Sequence, residues 1–130
     1  MKAEHRVHGD DNHHVSIEDL KVWVYRDDGM WIAHGIDVDY AAYGTTPDEA
    51  QMAFLNGLAF TIVEHLRRFK SLRVLLARGA PDELRARWVS AVEGHELSRS
   101  VEPLNIGSPP DIPRHWATVP SSLEFYRATA

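Results

Sequence analysis

The stretch from Leu20 to Ile36 constrains the fold of this chain more than any other. The run Leu-Lys-Val-Trp-Val-Tyr sets Leu20, Val22 and Val24 on one face of a strand and Lys21, Trp23 and Tyr25 on the other. Arg26-Asp27-Asp28-Gly29 follows, and its Asp-Gly step supplies the positive φ that a tight hairpin needs. Met30 to Ile36 then reads as the return strand, with Met30, Ile32, His34 and Ile36 facing one way and Trp31, Ala33 and Gly35 the other. A third, shorter strand is expected around Asp39 to Gly44.

A strong helix start comes next. Thr46 suits the cap, Pro47 the first helical position, and Glu49 stands three residues after the cap, where it completes a capping box. Leu55, Leu58, Ile62, Leu66, Phe69, Leu72 and Leu76 recur at spacings of three or four, a stripe fit to cover a sheet face; Gly79 is the expected stop and Pro81 a restart. A second helix from about Pro81 to Glu93 should bury Leu84, Trp88, Val89 and Val92 and end at Gly94. Five of the seven prolines fall beyond Ser98, so the end of the chain reads as extended or irregular, draped over the domain. Within it, Val101 to Ile106 is a candidate fourth, edge strand, and Ser121 with Glu124 a candidate cap for one last helical turn.

At the other end, residues 1–14 are polar, hold His5, His8, His13 and His14, and show no apolar period, which reads as a flexible His-rich arm. The organisation expected is therefore the arm, an α+β domain with its second helix over 15–97, and a proline-rich extension over 98–130. At 130 residues there is room for one core. No apolar run approaches the roughly 18–20 residues that cross a bilayer, and the N-terminus is polar where a secretory signal is apolar, so the expected location is cytoplasmic. With no cysteine, disulfides, thiolate metal sites and cysteine nucleophiles are excluded.

The net charge of -5 has the wrong sign for a chain that binds by neutralising phosphates. Charge is nonetheless unevenly placed, with eleven acids against four bases in residues 1–49 and seven bases against three acids in residues 64–87. Catalytic signatures are sparse. No Gly-rich phosphate loop and no Gly-x-Ser-x-Gly elbow occurs, and His95-Glu96-Leu97-Ser98-Arg99 has Arg where a zinc helix needs its second histidine. His34 and His65 read as hydrogen-bonded structural histidines. Asp37 and Asp39, with Tyr40 and Tyr43, form a denser group, although two aspartates so placed have nothing in the sequence to separate their acidities.

The segments Val24-Tyr25-Arg26-Asp27-Asp28-Gly29-Met30-Trp31-Ile32-Ala33 and Tyr43-Gly44-Thr45-Thr46-Pro47-Asp48-Glu49-Ala50 together resemble the N-terminal domain of HicB-type antitoxins. The resemblance covers roughly residues 20–70. It implies a β-β-β-α unit that neutralises a small ribonuclease toxin by covering it, commonly as a dimer or higher assembly, and often with a separate DNA-binding segment. No such segment is legible here, Asp39-Tyr40-Ala41 stands where the family commonly has Pro-Gly-Cys, and the second helix with the proline-rich tail resembles extensions of solitary members.

The expected fold is thus α+β: a small antiparallel sheet with the long helix on one face, HicB-like and akin to part of a double-stranded-RNA-binding domain. The expected function is a non-enzymatic protein-interaction module, antitoxin-related, that binds a protein partner and self-associates as a homo-oligomer, with no cofactor and no metal. Trp23, Tyr25 and Trp31 are expected on the face opposite Leu20, Val22, Val24 and Ile32, and with Asp37, Tyr40 and Tyr43 they make up the expected protein interface, unless the second helix or the tail covers the aromatics. The alternative is a metal-dependent hydrolase-type enzyme using histidines with Asp37 or Asp39. Double-stranded RNA binding is disfavoured by the charge.

Overall fold

The computed structural model describes residues 1–8, 12–104, 117–118 and 121–128. It is an α+β fold with two sheets. In the first, β1 (Lys2–His8) runs antiparallel to β2 (Asn12–Glu18), with Lys2 opposite Glu18 and His8 opposite Asn12; the short β7 (Ala117–Thr118) lies parallel along β2. Most of the expected N-terminal arm is therefore strand. Its polar alternation hides the period, and the apolar payload sits in Val15 and Ile17, both buried in the common core. At Asp19 a positive φ of 59° turns the chain out of β2 into the second sheet.

That sheet has five strands in the order β5-β4-β3-β8-β6, namely β3 (Leu20–Asp27), β4 (Met30–Gly35), β5 (Ala41–Gly44), β6 (Leu97–Leu104) and β8 (Ser121–Ala128). The hairpin forms as its turn dictates. Asp28 and Gly29 both have positive φ, 48° and 80°, and Asp27 pairs directly with Met30 across a two-residue loop. The expected small antiparallel sheet is corrected on one point: β8 runs parallel to β3 while pairing antiparallel with β6, which makes the sheet mixed. The segment expected to give a capped helical turn at Ser121 is instead this central strand. Leu123 and Phe125 alternate with Glu124 and Tyr126, and pairing on both edges outweighs a local capping pattern. Two described segments of the C-terminal extension, β6 and β8, thus belong to the sheet rather than being laid over it. β6 is an outer strand, which is where Pro103 is tolerated.

One face of the five-stranded sheet is covered by α1 (Pro47–Phe69). Thr46 caps it, its hydroxyl oxygen accepting from the Glu49 backbone N–H at 3.1 Å, while the Glu49 carboxylate accepts from Thr45 rather than closing the box on Thr46. The buried stripe is Ala50, Phe54, Leu58, Ile62, Val63 and Leu66. Phe54 stands edge-on to Phe125 with ring centroids 6.0 Å apart. The helix ends sooner than its apolar spacing suggests: Lys70 takes the left-handed conformation, φ 55°, and its N–H bonds back to Leu66, leaving Phe69 exposed. Leu72 is buried at the start of the one-turn α2 (Arg73–Leu76).

Gly44 fixes how closely α1 meets the sheet. A methyl group there would lie 2.4 Å from the Ala50 backbone nitrogen, so the end of β5 touches the first turn of α1 backbone to backbone. On the opposite face of the sheet lies α3 (Asp82–Glu93), ending at Gly94 as expected. Among the described residues no helix is long and apolar enough to cross a membrane.

Candidate interaction surface

The hairpin register decides which side chains share the face away from α1. Because Asp27 opposes Met30, each even-numbered residue of β3 pairs with an odd-numbered residue of β4: Val22 with Gly35, Val24 with Ala33, Arg26 with Trp31. Trp31 consequently lies on the α1 side, packed against the core, and Ile32 lies beside Tyr25 on the other face. This reverses the expectation for both residues.

Two rows of side chains cross that second face. The first is Tyr43–Ile32–Tyr25, over β5, β4 and β3. The second is Ala41–His34–Trp23–Tyr126–Arg99, over all five strands. Helix α3 covers the middle of the second row: Trp88 stands edge-on to Tyr126, centroids 5.3 Å apart, and the Arg87 guanidinium lies 5.6 Å from the centre of the Trp23 ring. Trp23 is therefore only 9% exposed. Towards β5 the cover stops. Tyr43 is 59% exposed and Met30 40%, with Ile32 and Tyr25 half-buried between them.

Polar groups on this face are mostly engaged with one another. The Tyr25 hydroxyl is 3.5 Å from His34 Nδ1, and His34 Nε2 is 3.0 Å from an Asp39 carboxylate oxygen. If Nε2 carries the proton and donates to Asp39, Nδ1 is left to accept from Tyr25. Burial raises the Tyr25 hydroxyl above its ordinary pKa of 10.0, with the charges of Asp27 and Tyr43 adding and Arg87 opposing. Tyr25 thus stays a neutral donor at physiological pH, which suits a contact residue better than a nucleophile. Further along, the buried Glu124 carboxylate accepts from Tyr126 at 3.0 Å and from Arg99 at 3.3 Å. Burial, then the Glu124 bond and charge, raise Tyr126, against the pull of Arg99.

Of the residues expected at the interface, Tyr25 and Tyr43 share the open corner. Trp23 shares the face beneath α3. Asp37 accepts from the Lys21 backbone N–H at 2.8 Å and so braces the sheet. Tyr40 packs edge-on against Phe54, centroids 5.2 Å apart, with burial raising its hydroxyl. Sequence reasoning left out Met30, Arg87, Glu124 and Tyr126. The two-residue turn already held the signal for Met30 and Ile32, since it fixes which parities share a face. Nothing local marks β8, which carries Glu124 and Tyr126, as the neighbour of β3. For the enzyme alternative, His34 and Asp39 do meet, as a pair; among the described residues no group of three or more His, Asp or Glu is placed to hold a metal ion.

No family model, curated protein or solved structure matches this chain.

Proposed function

We propose that this protein is a HicB-like, non-enzymatic protein-binding module that associates through the corner formed by Met30, Ile32, Tyr25 and Tyr43 beside the outer strand β5. One observation carries the reading: an apolar, aromatic group left uncovered where α3 ends its cover, next to a strand that pairs on one side only among the described residues. Tyrosine and methionine are enriched at protein interfaces because they bring much contact area, and an edge strand adds main-chain hydrogen bonds. The same proposal takes in a cytoplasmic location, self-association, and, from the resemblance, a small ribonuclease as partner. The close approach of Gly44 to α1 and the Thr46 cap give the Gly-x-Thr-x-x-Glu-Ala sequence a physical reason.

A co-purification and activity assay tests the partner. A small basic ribonuclease encoded beside this gene should co-purify with the wild-type chain and lose RNA cleavage in its presence, and Tyr43→Asp should release it. Undiminished cleavage in the presence of excess wild-type protein would refute the antitoxin part of the reading.

A further inference from the structure

Beyond the His34–Asp39 pair, the connection after β4, the second half of α1, and α2 with the residues after it line an open pocket of about 740 Å³. That size is typical of small-molecule sites. Its walls are tied together by the Asp39 backbone N–H, which donates to the Arg78 carbonyl at 2.9 Å. Arg73 and Arg78 line it with exposed side chains, and neither guanidinium has a carboxylate partner among the described residues. Asp39 is the acid in the lining, and His34 already engages it. Val74 and Leu75 supply an apolar wall.

His65 adds a second, independent observation. It lines the pocket, yet its Nδ1 is buried without a hydrogen-bond partner.

We infer that this pocket binds a small phosphate-bearing molecule with an apolar body, the phosphate held by Arg73 and Arg78, and the body against Val74 and Leu75. A carboxylate has two oxygens and one charge, whereas a phosphate monoester dianion sets three terminal oxygens and a double charge against two guanidiniums, and so gains more from the pair. The inference does not depend on the protein-binding reading.

Calorimetric titration with phenyl phosphate, in about 150 mM salt to screen diffuse attraction, tests it on the full chain. Saturable one-to-one binding is expected, tighter than for inorganic phosphate. Arg73→Gln and Arg78→Gln should each weaken it by about tenfold or more, with unchanged melting temperatures, while Arg68→Gln, outside the pocket, should leave it intact. No saturation by about 10 mM would overturn the inference. So would equal weakening by Arg68→Gln, equal affinity for benzoate, or arginine-dependent binding of an acidic peptide without binding of phenyl phosphate.

Discussion

At Gly44 a methyl group would share space with backbone atoms of the first turn of α1, and neither side has a flexible end that can swing away. Gly44→Ala should therefore cost about 2 kcal/mol or more in urea unfolding, as overpacking against a fixed backbone does. Gly29→Ala faces a different penalty. Nothing lies within 4 Å of its added methyl, so only the positive φ is strained and about 1 kcal/mol is expected. Equal costs at the two glycines would contradict this account of the strand–helix contact. The tyrosines carry a pH prediction. Burial raises Tyr25, Tyr126 and Tyr40 in the folded state above their unfolded value of 10.0, so the folded state holds these protons longer. Their stabilising contribution is complete below pH 10 and is lost as pH rises through the folded values. Unfolding free energies measured at about pH 9 and about pH 11 should fall between the two, and Tyr25→Phe should make the fall shallower. At this scale much was legible: the Asp28-Gly29 turn and the Thr46 cap can be read directly from residue chemistry. The faces of Trp31 and Ile32 were also implied by the turn, although judging each strand by its own hydrophobicity concealed it.

Among the elements, β8 is the one that local patterns misplace. Its Ser121-x-x-Glu124 start offers a helix cap, and only partners distant in the chain, β3 and β6, make it a strand. The end of α1 shows the reverse limit. Its apolar spacing continues past Phe69, while the turn at Lys70 is set by a backbone conformation that no glycine advertises. If β8 is central, Phe125, fully buried against Phe54, should be costly to truncate: Phe125→Ala is expected to lose about 3–5 kcal/mol. Phe60, 67% exposed on the outside of α1, should lose within about 0.5 kcal/mol in Phe60→Ala. A small effect at Phe125 in the same denaturation assay would mean that the tail does not complete the sheet.

For the whole molecule, the asymmetry of cover on the sheet matters most. α1 seals one face and α3 part of the other, which leaves the aromatic and apolar residues near β5 exposed, and that is where the proposed protein contact is placed. Net charge argued against a phosphate-backbone binder, but it could not say which aromatics α3 would hide, because that depends on where a second helix docks. The most direct test is light scattering of the purified chain over a range of concentrations, beside Met30→Asp/Tyr43→Asp. The wild type should move from 14.7 kDa towards twice that mass as concentration rises, and the double variant should remain at 14.7 kDa with an unchanged melting temperature. A wild-type chain that stays at 14.7 kDa at every concentration, or a double variant that assembles as well as it does, would contradict an interface at this corner.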